Sequence, residues 1–159
     1  MPSLERESHR IVIAGASSLL GAELKSLLEE SKFAGWDFSL LDEEEAAGTL
    51  TEAGGEPAVI QPVEEGSFDK ARFVFFTGSP KFTRANLTTA LVAVQQAGAI
   101  IDFSGEAIEK QLATIWFPAG EPAEPALKVP GNLYAIPTAA AMAVSSLVAL
   151  RPRDGSTMM

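Results

Sequence analysis

Five residues, Arg10-Ile11-Val12-Ile13-Ala14, run straight into Gly15-Ala16-Ser17-Ser18-Leu19-Leu20-Gly21, and a helical pattern begins at once behind them. A short β-branched run with no polar alternation is the profile of a strand buried on both faces, as in a parallel sheet. After the turn, Leu20, Leu24, Leu27 and Leu28 fall at i, i+4, i+7 and i+8, while Glu23, Lys25, Glu29 and Glu30 take the other face. That spacing predicts an amphipathic helix, with Ser17 or Ser18 able to cap its start. A strand, a tight turn and a helix in this order leave few architectures open.

The alternation continues along the chain. Trp36 to Leu41 predicts a second strand ending at Asp42, followed by a connecting region marked by Glu43-Glu44-Glu45, Gly48, Gly54, Gly55 and Pro57, with Val59 to Val63 as a candidate strand. Ala71 to Thr77 predicts a buried strand. Gly78-Ser79-Pro80 then sets up a helix, with Ser79 as cap, Pro80 at the first helical position and Leu87, Leu91 and Val94 on its apolar face. Gly98 stands where a C-terminal helix cap falls, and Ala99 to Phe103 resumes a strand. Ala113 to Phe117 is a further short strand, the prolines 118, 122, 125 and 130 with Gly120 make a loop, and Leu133 to Ile136 leads into a helix from about Pro137 to Leu150. The expected class is α/β: a Rossmann-type, doubly wound, mostly parallel sheet with helices on both faces. Residues 10–152 form one domain in this reading, between a flexible start (1–9) and a loose tail (153–159).

Twenty-one carboxylates against twelve Lys and Arg give a net charge of -9, which argues against nucleic acid and anionic membrane surfaces as partners. The chain has no cysteine, so disulfides, thiolate metal sites and thiolate nucleophiles are excluded, and with His9 as the single histidine no metal site is expected. His9 precedes the first strand, so a Ser-His-Asp arrangement is not expected either. The polar start, Met1 to Arg10, reads as no secretory signal, making the cytoplasm the expected location. Between Lys128 and Arg151 the chain is uncharged, yet Pro130, Gly131, Asn132, Pro137, Thr138, Ser145 and Ser146 argue against a membrane span.

In a doubly wound sheet the first strand-to-helix turn is where a dinucleotide's pyrophosphate sits, on backbone N–H groups and a helix N-terminus. Gly15, Ser17, Ser18, Leu19, Leu20 and Gly21 occupy that turn, with Ser18 where a middle glycine would stand. The same turn without a ligand is the plain structural alternative. Asp42, about twenty residues after Gly21, is the candidate for the ribose hydroxyls of NAD, and with Glu43, Glu44 and Glu45 it would repel the 2′-phosphate of NADP. The bland alternative there is a solvated acidic loop. Thr77, Gly78 and Ser104 lie at the ends of later strands and could border a nucleotide, or simply connect strand to helix.

Taken in order, these segments resemble the N-terminal half of the aspartate-semialdehyde dehydrogenase family, itself similar to N-acetyl-gamma-glutamyl-phosphate reductase. Gly15, Ala16 and Gly21 match the family's Gly-Ala-Thr-Gly-x-Val-Gly, with Ser17 for Thr and Ser18 departing. Ala46-Ala47-Gly48 sits at the family's Ser-Ala-Gly, preceded by acidic residues near Glu43 and Glu45 where the family has a serine and an arginine for an NADP phosphate. Asp102 and Ser104 resemble part of its Asp-Asn-Ser-Ser, with Phe103 and Gly105 departing and no arginine just downstream. Ala135-Ile136-Pro137-Thr138-Ala139 aligns with Ala-Asn-Pro-Asn-Cys, so Ala139 stands at the family's catalytic cysteine, and Val148-Ala149-Leu150-Arg151-Pro152 is similar to Val-Ala-Leu-Lys-Pro.

The resemblance implies a dinucleotide-binding domain; Asp42 and the acidic run after it favour NAD over NADP, and the departures from the family pattern, Ala139 above all, argue against dehydrogenase activity of its own. Two other readings stay open: a subunit of an oxidoreductase whose separate catalytic chain supplies the substrate groups, and a ligand-free assembly domain. For the last, apolar surface near the Ala-rich segment from Ala139 to Leu150 is expected to drive homo-oligomerisation.

Overall fold

The computed structural model describes residues 9–94, 98–110, 112–116 and 132–137. Strands β1 (Arg10–Ala14), β2 (Asp37–Asp42), β5 (Gln61–Pro62), β6 (Phe73–Phe76), β7 (Ala99–Asp102), β8 (Thr114–Ile115) and β9 (Leu133–Ala135) form a seven-stranded sheet in the order β5-β2-β1-β6-β7-β9-β8. Every pairing in it is parallel. Helix α1 (Leu19–Glu29) connects β1 to β2, α2 (Pro80–Val94) connects β6 to β7, and the single turn α3 (Glu106–Glu109) follows β7. The chain moves outward from β1 in one direction and then returns to the other side through β6, so the order reverses between β1 and β6. At such a reversal the loops leave toward opposite faces and open a crevice at the carboxyl edge.

Side-chain alternation along the strands builds two cores. Val12, Ala14, Val74, Phe76 and Ile100 pack with Phe82, Leu87, Ala90 and Val94 of α2, while Ile11, Ile13 and Leu40 pack with Leu28 and, more loosely, Leu24 of α1. The second face is aromatic: Phe33 meets Trp36 edge-on at 4.9 Å between ring centroids, and Trp36 stacks on Phe73 at 5.9 Å. Phe73, Phe75, Ile101, Phe103 and Ile136 floor a wholly apolar groove of about 290 Å³ on this face. The helix expected from 137 to 150 lies outside the described residues beyond Pro137, as does the surface expected near it.

Several expectations shift. Of the leucines of α1 only Leu28 is buried; Leu20 and Leu27 are 42% and 64% exposed, because the helix rolls its Leu24–Leu28 edge onto the sheet. The stretch after Asp42 is more than a connection: β3 (Leu50–Ala53) and β4 (Glu56–Val59) form an antiparallel hairpin, so Val59 belongs to it and the predicted strand at 59–63 shrinks to Gln61–Pro62. Gly54 and Gly55 turn the hairpin with φ of 62° and 82°, where glycine is unstrained. The hairpin is tied to α1, with Gly54 N–H donating to Glu29 Oε1 at 2.7 Å and Lys25 Nζ donating to Glu52 O.

Ser79 does cap α2, its Oγ accepting from Phe82 N–H at 3.1 Å. Gly98 serves a close approach at the start of β7: a Cβ there would lie 2.8 Å from the carbonyl oxygens of Ala71 and Arg72 and 2.6 Å from Val94 Cγ1. Among the described residues no helix is long and apolar enough to cross a membrane. Because two of the obstacles at Gly98 are backbone atoms, Gly98→Ala should cost about 1–3 kcal/mol in urea unfolding. Gly35→Ala, where a Cβ would meet nothing within 4 Å, should stay within about 0.5 kcal/mol of the native chain.

Candidate dinucleotide site

The turn after β1 is shaped by contact between two backbones. Gly15 has φ 106°, and a Cβ on it would lie 2.2 Å from Gly78 N, so the loops leaving β1 and β6 touch with no room for a side chain. A Cβ on Gly21 would lie 2.6 Å from Gly15 O, which is how the first turn of α1 sits directly on the loop. Thr77, buried, donates its Oγ1 hydroxyl to Gly15 O at 3.0 Å and seals the junction from β6.

Where the loop's amides go decides what the loop can hold. Gly15 and Ala16 donate to Leu41 O at 2.8 and 3.0 Å, and Ser18 N–H donates to Gly15 O at 3.1 Å. Ser17 N–H donates to Asp42 Oδ2 at 2.8 Å. Gly21 N–H is taken by the Ser18 hydroxyl at 2.9 Å, and Ala22 N–H by Ser18 O at 3.0 Å. Among the described residues the amides of Leu19 and Leu20 have no partner. They are the first two helical residues, where the helix carries partial positive charge, and both side chains are exposed, at 80% and 42%. Ser18, in the place of a glycine, turns its hydroxyl inward toward Gly15 O and Thr77 O at 2.8 and 2.9 Å, and caps α1 instead of covering these amides.

Asp42, at the end of β2, is 8% exposed. Its Oδ2 accepts from Ser17 N–H and from Ser17 Oγ at 2.5 Å, and its Oδ1 accepts from Glu43 N–H at 2.8 Å. A carboxylate has about four acceptor positions, so one remains on Oδ1. Asp42 also lines a cleft of about 360 Å³ with Glu43, Glu44 and Glu45, Pro62 of β5 and Val63 after it, and Lys81, Phe82 and Ala85 of α2. Four carboxylates face one ammonium across it. Pro62, Val63, Lys81, Phe82 and Ala85 were not singled out in the sequence. The available signal was strand order, since β5 beside β2 brings its end against the acidic loop.

Ser104 lies two strands further along the same edge and points inward. Its N–H and Oγ donate to Asp102 Oδ1 at 2.8 and 2.6 Å, and Asp102 Oδ2 accepts Ala107 N–H at 2.9 Å, so this fully buried carboxylate holds the start of α3. The structure therefore brings Gly15, Ser17, Ser18, Gly21, Asp42, Thr77 and Gly78 together and gives Ser104 a separate, local role. Thr138 and Ala139 lie outside the described residues. His9 packs edge-on against Trp36 at 4.9 Å, at the amino end of β1, about 15 Å of strand away from the loops. No cluster of metal-ligating side chains occurs among the described residues.

No family model and no curated protein matches the sequence. Solved structures do match in fold. A probable aspartate-semialdehyde dehydrogenase from Pseudomonas aeruginosa superposes with a TM-score of 0.71 at 23% identity, over 89% of this chain and 42% of that one. Aspartate semialdehyde dehydrogenase II from Vibrio cholerae, complexed with ASA, gives 0.71 at 20% identity, over 91% of this chain and 46% of that one. The chain thus has the parallel-sheet fold of part of these dehydrogenases and spans less than half their length.

Beside the candidate site, Arg84 of α2 holds Glu106 in a two-pronged pair, Nε to Oε1 at 2.8 Å and Nη2 to Oε2 at 3.0 Å. The guanidinium's hydrogen bonds hold the Glu106 carboxyl below its ordinary value of 4.5, against the opposing effect of burial. A lowered folded-state value means that this pair's stabilisation is complete above pH 4.5 and is lost as pH falls through the folded value. Acid unfolding followed by circular dichroism should show a shallower loss of stability below pH 4.5 in Arg84→Met than in the native chain.

Proposed function

We propose that this chain is a dinucleotide-binding domain of the aspartate-semialdehyde dehydrogenase type, that it takes NAD in preference to NADP, and that it does not oxidise aldehydes by itself. The observation that carries the reading is the pair of unpartnered amides, Leu19 and Leu20, at the mouth of a glycine cradle that borders a carboxylate-rimmed cleft. The residues fit the group. A diphosphate needs N–H donors at a helix start with no side chain in the way, and the inward Ser18 hydroxyl leaves that approach open. The remaining acceptor position on Asp42 suits a ribose hydroxyl, and Phe82, Val63 and Pro62 offer apolar surface for a base.

Bound NAD would supply a hydride acceptor. The chain's own residues bind and orient it, with Leu19 and Leu20 at the diphosphate and Asp42 at the ribose. Glu43, Glu44 and Glu45 set the preference, because a 2′-phosphate dianion about 6 Å from a carboxylate is repelled by roughly 1 kcal/mol even in a water-like dielectric. Aldehyde oxidation through a thiohemiacetal requires a thiol, and the sequence has none. The resemblance of Ala139 to the cysteine position supports the same conclusion.

Calorimetric titration should therefore show NAD binding at least ~10-fold tighter than NADP. Glu45→Arg should narrow or invert that ratio by about tenfold or more. No heat with either nucleotide at millimolar concentration would end the reading. Self-association is a second reading, favoured by Leu19 and Leu27 of α1, exposed at 80% and 64%. Light scattering should then report a dimer that Leu27→Glu weakens; a native monomer at high concentration would remove this reading.

A further inference from the structure

We propose that Asp42 is a positioning residue for the diphosphate cradle, in addition to its place at the ribose; the inference rests on the dinucleotide reading and deepens it. The loop from Gly15 to Gly21 is anchored from two strands. On the β6 side Ser18 Oγ lies 2.9 Å from Thr77 O and Thr77 Oγ1 donates to Gly15 O. On the β2 side Leu41 O receives the amides of Gly15 and Ala16, and Asp42 Oδ2 receives both the N–H and the hydroxyl of Ser17. Ser17 is the last residue before the Ser18 cap, so the carboxylate of Asp42 fixes the entry into α1 and with it where the Leu19 and Leu20 amides sit. Its other oxygen receives Glu43 N–H, which ties the acidic loop to the same point.

Charge and position make opposite demands here. A carboxylate beside a diphosphate repels it, so if Asp42 acted only through its charge, neutralising it would tighten diphosphate binding. If Asp42 positions the loop, neutralising it loosens the amides and weakens binding. Asparagine cannot replace it: a carboxamide has one accepting oxygen, and if that oxygen keeps Ser17, the NH2 group is turned on Glu43 N–H as donor against donor. The coupling also means that a ribose hydroxyl bonded to Asp42 and a diphosphate held by Leu19 and Leu20 share a single support.

The test titrates inorganic pyrophosphate and NAD into the native chain, Asp42→Asn and Glu44→Gln. Glu44 also lines the cleft and is exposed, and its replacement removes one charge in the same loop without touching Ser17. Amide hydrogen exchange is followed in parallel without ligand. Expected are a tenfold or greater loss of affinity for both ligands in Asp42→Asn, equal or tighter pyrophosphate binding in Glu44→Gln, and faster exchange at the bonded amides of Ser17 and Ser18 with β1 still protected. If Asp42→Asn binds pyrophosphate as well as the native chain or better, or if exchange in the loop is unchanged, the positioning role is wrong while the dinucleotide reading stands. If the native chain binds neither ligand, the dinucleotide reading itself fails and this inference goes with it.

Discussion

The structure depends on a close approach of two backbones, Gly15 after β1 and Gly78 after β6, where the winding of the sheet changes sides between these two strands. A side chain at Gly15 would intrude to 2.2 Å on Gly78 N, so the approach exists only because glycine occupies a left-handed conformation there. From that contact the rest follows in order. Gly15 O is placed to receive the Thr77 hydroxyl, and α1 begins on top of the loop because Gly21 has no Cβ to hold it off. Leu41 and Asp42 at the end of β2 close the other side. The chemistry of the site is thereby reduced to a question of which N–H groups are left over.

Much of this was legible in the sequence, and the reasons differ from residue to residue. The β-branched run Ile11-Val12-Ile13 and the glycine directly after Ala14 mark a strand and a tight turn, because both signals are local and neither depends on what packs alongside. Ser79 and Pro80 located the start of α2 for the same reason. Periodicity alone puts two leucines too many on the covered face of α1, since it gives a stripe and only tertiary contact decides which edge of the stripe is covered. The β3–β4 hairpin is hard to read from sequence because Glu52, Glu56 and Pro57 dilute any strand pattern, and part of what holds it, the bond from Gly54 to Glu29 of α1, is not local.

The candidate site divides along the same line. Gly15, Ser18, Gly21 and Asp42 could be placed by spacing, but the direction of a hydroxyl cannot. Ser18 and Ser104 read alike as small polar residues in the turn that follows a strand. In the structure one caps a long helix from beneath a vacant pair of amides, and the other is spent on a buried aspartate. The apolar and basic lining from α2 and β5 was invisible because those residues meet the acidic loop only through strand order.

An all-parallel sheet with its first strand in the interior also has a cost in time. β1, buried from Ile11 to Ala14, takes one neighbour from β2 and the other from β6, and Thr77 reaches Ala14 across 63 positions of chain. On a ribosome, Ile11 to Ala14 would emerge long before their second partner. Until Phe76 is made, one edge of that strand stays open to any other extended segment, including the same strand of a neighbouring nascent chain. Slow, non-local closure of this kind makes the yield of folded protein depend on how quickly synthesis carries the chain past β6.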